Sequence, residues 1–232
     1  MGMDLSYPPF ETIDENGQPH GVSVELAQAL ADSLHKKLRI ENIPFTGLIP
    51  SLQNGRVDCV ISSMTDTTER RRSVDFSKAY LSTGLAILLP KNSAVTSIRD
   101  LDQPDRKVVV RQGTTGELWA RDRLKSARVI AVEKENSAVL EVVEGKVDAF
   151  IYDQMSIWRN GEMNPGTTRT LLAPLTVESW AIAFRKGNDS LRESANAFLE
   201  QFRKDGGFER LGDKYLREQK EAFRREGIPF VF

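Results

Sequence analysis

One cysteine in 232 residues, Cys59, leaves no intrachain disulfide to support the fold. It sits mid-strand among apolar neighbours, where a cysteine is usually a small inert core residue. The apolar runs are all short, which excludes a bilayer-spanning helix. The formal net charge is only -1, so there is no electrostatic footprint for nucleic acid or an anionic membrane. Histidine is equally scarce: His20 falls on a turn and His35 at a polar helix end. There is no GxSxG, no HExxH, no Walker loop and no CxxC. No catalytic residue, metal or cofactor is therefore expected. The chain opens Met1-Gly2-Met3 with no charged and apolar leader ahead of its first strand. Either it is cytosolic or a signal peptide has been removed. The apolar end 227–232 is expected to pack back onto the body.

What is present is an ordinary globular composition, 40% hydrophobic and 28% charged, long enough for one large domain or two lobes. Periodicity predicts helices over 22–34, 48–54, 117–124, 138–144, 190–204 and 208–223. Strands are predicted over 37–44, 57–61, 84–89, 108–110, 146–152 and 180–184, with a hairpin turn at 14–17 and a surface loop over 159–169. Strands alternating with helices point to a parallel-rich α/β sheet.

The most organising stretch runs from Gly47 to Phe76: a helix, a turn, a buried strand, a polar loop and an expected second helix. A shortened echo follows about ninety residues later. Gly55-Arg56-Val57-Asp58-Cys59-Val60-Ile61 matches Gly145-Lys146-Val147-Asp148-Ala149-Phe150-Ile151 at four of seven positions. The first copy ends in Ser62-Ser63, the second in Tyr152-Asp153. The pair suggests one copy in each of two similar lobes, with the polar strand ends where open α/β sheets bind ligands.

Around these strand ends, each candidate site residue also has a commoner structural role. Arg70, Arg71 and Arg72 cannot all face one way on a helix, so one can reach inward, although a basic solvated face is the usual meaning of such a run. A helix start with an inward arginine suits a carboxylate, and Ser63 and Thr65 can add hydroxyl donors. The segment from Gln112 to Glu117 offers a second such start, with Thr114 and Glu117 at capping-box spacing; alone it is simply a capped helix. Asp153 at a strand end suits an ammonium, or caps the helix that follows. Tyr7, Phe10 and Phe45 can wall a ligand or pack the core. Glu11 is the one carboxylic acid left open as a proton donor.

Six segments, in order and with matching spacing, resemble the bacterial extracellular solute-binding proteins of family 3: DLSYPPFE at Asp4, GVSVELAQALA at Gly21, FTGLIPSLQNGRVDCVISSMTDTTERRRSVDFSKAY at Phe45, RQGTTGE at Arg111, GKVDAFIYD at Gly145 and AIAFRKGND at Ala181. The resemblance implies a type II periplasmic-binding-protein fold, two α/β lobes joined by two hinge strands near 84–88 and 181–185 with a ligand cleft between. Lobe one would be residues 1–85 plus 186–232, and lobe two residues 86–185. It further implies a monomer that binds a small-molecule amino acid by clamshell closure and delivers it to the membrane permease of an ABC importer. Such a protein works outside the cytoplasmic membrane, which favours a removed signal peptide. By the same resemblance Arg70 pairs with the ligand α-carboxylate, helped by Thr65 and the Gln112–Thr115 loop. Asp153 and the Ser63 carbonyl, beside Ser62, hold the α-ammonium. Tyr7 and Phe45 sandwich the ligand side chain, and Asp4 and Arg111 lie where relatives read its far end. Arg111 with Asp4 favours an amide such as glutamine, with acidic or basic amino acids behind it. The alternatives are an enzyme on the same fold, akin to cyclohexadienyl dehydratase, or the sensing module of a larger receptor.

Overall fold

The computed structural model describes residues 1–228. The expected packing of the apolar C-terminal end falls largely on residues 229–232, outside the described residues. In chain order the elements begin with β1 (Gly2–Met3) and a hairpin of β2 (Thr12–Ile13) and β3 (Pro19–His20). Asp14 closes that turn, its Oδ1 accepting from the Asn16 and Gln18 amides. Next come α1 (Val22–Ser33), β4 (Glu41–Asn42), α2 (Phe45–Gln53), β5 (Cys59–Val60) and β6 (Val74–Thr83). They are followed by β7 (Leu85–Pro90), β8 (Lys107–Arg111), α3 (Thr115–Arg123), β9 (Arg128–Val132), α4 (Glu135–Val143) and β10 (Ala149–Asp153). The chain continues through α5 (Gln154–Met163), β11 (Thr168–Leu171), β12 (Glu178–Arg185), α6 (Asp189–Lys204), α7 (Gly207–Tyr215) and α8 (Arg217–Arg225).

The chain forms two compact units, Met1–Ser82 with Ser179–Arg224, and Thr83–Glu178 with Arg225–Ile228. Each carries one five-stranded sheet, ordered β4-β1-β5-β12-β6 in the first and β11-β7-β10-β8-β9 in the second. Both sheets are mixed. In the first, β1 runs parallel to β4 and β5, while β12 runs antiparallel to β5. In the second, β8 runs parallel to β9 and β10, and β7 runs antiparallel to β10 and β11. The repeated motif supplies the middle strand of each, β5 and β10. Its glycines, Gly55 and Gly145, take the left-handed φ of 77° and 67° that turns the chain out of the preceding helix.

The core of the first unit gathers Leu48, Leu52, Val57, Val60, Val74 and Ala183, so α2 and three strands share one apolar layer. That of the second gathers Leu85, Ile87, Val108, Val110, Ala120 and Ile151. Close packing there is explicit at Gly116 in α3, where a Cβ would come within 2.7 Å of the Ile151 carbonyl oxygen of β10.

Several sequence expectations are corrected. Residues 65–72 do not form an α-helix. Thr65 makes a β-bridge with Trp180, and the Asp66 amide donates to the Ser179 carbonyl, so the segment is pinned in extended form against β12. Only a single 3₁₀ turn, Arg70–Arg72, remains. Residues 159–169 are not a surface loop: α5 runs to Met163 and β11 begins at Thr168. Their Gly and Asn content serves packing. A Cβ on Gly161 would stand 2.5 Å from Thr170 Cγ2, and Asn160 is buried and bonded to Glu135. The helix expected over 208–223 is two helices, interrupted at Leu216. The strands expected over 37–44 and 57–61 shrink to two residues each, whereas β6 and β9 were not expected. β9 is an edge strand only half buried, so it lacks the apolar run of a central strand.

Candidate functional site

In the first unit the polar residues after β5 converge with those after β1. Arg70 is buried while Arg71 and Arg72 are exposed. Its Nη1 donates to the Thr65 carbonyl at 2.7 Å, and its guanidinium carbon lies 5.3 Å from the centre of the Phe45 ring. The bond to Thr65 fixes the guanidinium, and the aromatic face supports it from the side. Arg71 turns away into a two-pronged ion pair with Asp66, which occupies the carboxylate expected to cap a helix. Tyr7 is buried, stacked on Phe10 at 5.5 Å and edge-on to Trp180 at 5.9 Å. Asp4 Oδ2 accepts from the Phe45 amide at 3.0 Å and Oδ1 from Ser6 Oγ at 2.6 Å, so this carboxylate anchors the start of α2.

Behind this face lies Glu11, only 1% exposed. Its Oε2 accepts from Ser63 Oγ at 3.0 Å and its Oε1 from Ser62 Oγ at 3.3 Å. Ser62 Oγ in turn accepts the Asp4 amide at 2.9 Å. Ser63 holds a left-handed backbone with φ of 47°, uncommon for a residue with a Cβ. Burial is the main cause that pushes the Glu11 carboxyl up to about 8, reinforced by the charge of Asp4 and opposed by the hydroxyls of Ser23, Ser63 and Ser62. The unfolded chain releases this proton near pH 4.5, its ordinary value, whereas the folded chain keeps it to about pH 8. Glu11 therefore lowers stability progressively as pH rises through that window and no further above it. Urea unfolding of Glu11→Gln should lose that part of the pH slope, on the order of several kcal/mol between about pH 5 and about pH 9. Equal slopes in variant and wild type would refute it.

The second unit presents a comparable arrangement around β8 and β10. Arg111 is buried, donating from Nη1 to Tyr152 Oη at 3.1 Å and from Nε to the Glu133 carbonyl at 3.3 Å. Asp153 ends β10 and caps α5, its Oδ1 accepting the Ser156 amide at 3.0 Å. Ser156 Oγ and Asn160 Nδ2 donate to Glu135 Oε1 at 2.6 and 2.8 Å. Burial raises the Glu135 carboxyl above its usual range, opposed by these two donors and by the Arg111 charge. Its Oε2 is buried with no hydrogen-bond partner among the described residues. Thr115 opens α3 and donates from Oγ1 to Glu178 Oε2 at 2.9 Å. The expected capping box does not form. Thr114 Oγ1 turns back to the Arg111 carbonyl, and Glu117 reaches the Gly113 amide instead.

A family model described as bacterial extracellular solute-binding proteins, family 3, matches residues 1–218. The chain belongs to that family. Its relatives include a probable histidine-binding protein of Neisseria gonorrhoeae, 32% identical over 94% of this chain and 83% of that protein. Among solved structures, an ancestral amino-acid-binding protein described as a precursor of cyclohexadienyl dehydratase is 37% identical, with a TM-score of 0.86 over 92% of both chains. An ancestral arginine-binding protein bound to glutamine is 34% identical, with a TM-score of 0.86 over 93% of this chain and 96% of that one. The fold of this family 3 protein is accordingly of the type II periplasmic-binding-protein class, and its family is an extracellular one by description.

In this solute-binding protein the first unit brings Asp4, Tyr7, Phe45, Ser62, Ser63, Thr65 and Arg70 together within four short segments. The second holds Arg111, Gln112, Thr115 and Asp153, of which Gln112 is exposed, its amide bonded to the Val132 carbonyl of β9. Trp180, Glu135 and Glu178 were missed. Trp180 was read only as strand; its contacts with Tyr7 and Phe10 are long-range and leave no local signal. Glu135 could have been found as an acid at the start of a helix. Cys59 is buried, and burial pushes its thiol up to about 12, consistent with an inert core residue. Among the described residues no cluster of metal-ligating side chains occurs, and no helix is long and apolar enough to cross a membrane.

Proposed function

We propose that this family 3 protein is the receptor for a polar L-amino acid, glutamine first, and hands it to the membrane permease of an ABC importer as a monomer. Both units engage the same ligand and close on it. Arg70 with Thr65 and the 112–115 loop takes the α-carboxylate; Asp153 and the Ser63 carbonyl take the α-ammonium; Tyr7 and Phe45 flank the side chain. The observation that carries the reading is the buried Arg70, oriented by the Thr65 carbonyl and laid over Phe45. A buried guanidinium so oriented is suited to a forked carboxylate contact. Arg111 in the second unit, with Asp4 in the first, supports a side chain that both accepts and donates hydrogen bonds, as an amide does. The ammonium and carboxylate groups fix the class, and the amide sets the choice within it.

The reading is of a receptor rather than an enzyme. Glu11, left open by the sequence as a proton donor, lies buried behind Ser62 and Ser63, where a substrate would have to displace both serines to meet it. A thermal-shift screen of the twenty amino acids tests the proposal. Glutamine should give the largest rise, since ligand at about a hundred times its Kd adds about 2.7 kcal/mol to apparent stability. If no amino acid shifts the transition, the reading fails.

A further inference from the structure

The residues assigned to ligand contact leave Glu11 unused, although it sits at the back of the strand end that carries Ser63. Groups from four separate segments meet on it: Asp4 after β1, Ser23 on α1, Ser62 and Ser63 after β5, and Tyr80 on β6. Ser62 and Ser63 donate to its two oxygens. Asp4 and Tyr80 are the titratable groups that face it. Ser23 Oγ and Tyr80 Oη are buried with no hydrogen-bond partner of ordinary geometry among the described residues, so each is an oxygen able to accept a proton from a neutral acid. A buried carboxylic acid offering one acceptor oxygen and one O–H satisfies this set, whereas an isolated carboxylate there would carry a large desolvation cost.

We propose that Glu11 is a positioning residue for ligand recognition: by holding the hydroxyls of Ser62 and Ser63 it fixes the left-handed turn at Ser63, and so the placement of the carbonyl that receives the ligand ammonium. The ligand step rests on the function proposed above; the turn itself does not. A left-handed serine is strained, and such a conformation persists where surrounding contacts over-determine it. Glu11 supplies two of those contacts from a segment remote in sequence. Asp4, whose amide bonds Ser62 Oγ and whose carboxylate anchors the start of α2, is tied into the same frame. One buried acid thereby couples the strand end of β5 to the helix that presents Phe45.

The test compares wild type, Glu11→Ala and Glu11→Gln, with Ser63→Ala as the substitute should Glu11→Ala not fold. Glutamine keeps an acceptor and a donor at the same place, as the neutral acid does, and lacks the carboxylate's charge. In ligand-free protein, amide exchange over residues 61–66 should quicken about tenfold in Glu11→Ala and stay near wild type in Glu11→Gln. Titration with L-glutamine should show a Kd about tenfold weaker in Glu11→Ala and within about threefold of wild type in Glu11→Gln. Exchange unchanged in Glu11→Ala, or Glu11→Gln failing as badly as Glu11→Ala, would overturn the inference. Failure of the function proposed above is read separately, as wild type that binds no amino acid while the exchange difference stands.

Discussion

Arg70→Ala should abolish measurable binding of any amino acid while leaving the protein folded. Removing one partner of a buried charge pair costs about 2–5 kcal/mol, which for a micromolar ligand moves Kd beyond the range of calorimetry. The structural cost is smaller. Arg70 gives up one hydrogen bond to the Thr65 carbonyl and its position over Phe45, on the order of 1 kcal/mol of stability. Arg70→Lys separates charge from geometry. It keeps the cation but loses the planar fork, so affinity should fall at least about tenfold. The neighbours supply the control: Arg71 and Arg72 are exposed, and Arg71 is engaged with Asp66 at the surface. Arg72→Ala should bind as wild type. Calorimetry that finds near-native affinity in Arg70→Ala would remove the carboxylate anchor, and the proposed function with it.

That Arg70 rather than its neighbours turns inward was legible only in part. Three consecutive arginines must point in different directions in any helical turn, so one inward member was foreseeable. The helix assumed for the argument does not exist, because Thr65 and Asp66 are bound to β12. Local capping-box spacing lost to a tertiary strand contact. The same competition decided 159–169, where turn-forming residues are recruited to pack α5 against β11. The echo of Gly55–Ile61 at Gly145–Ile151 was the more durable signal. Its glycines need positive φ and its strands need burial, and both demands are local. It therefore marked the middle strand of each sheet correctly. Glu11 shows the opposite case. Its partners come from four separate segments, so no window of sequence contains the reason for its burial.

Asp153 poses the last problem, since its structural and proposed ligand roles coexist. Oδ1 caps α5 through the Ser156 amide, the commoner duty of such a residue. A cap alone is indifferent to charge to first order, because asparagine and aspartate serve nearly equally at that position. An ammonium partner is not indifferent. Asp153→Asn should therefore keep the thermal stability of the wild type and lose amino-acid affinity by about 2–5 kcal/mol, at least thirtyfold. Asp153→Ala should lose both, with about 1 kcal/mol of stability going with the cap. Ligands discriminate further. A simple carboxylic acid lacking the α-amino group never uses Asp153, so its weak binding should be the same in wild type and Asp153→Asn. Competition calorimetry with the amino acid and its deaminated analogue measures both losses on one sample. Equal losses for the two ligands would confine Asp153 to its cap and leave the ammonium to the Ser63 carbonyl, which Glu11 holds from behind.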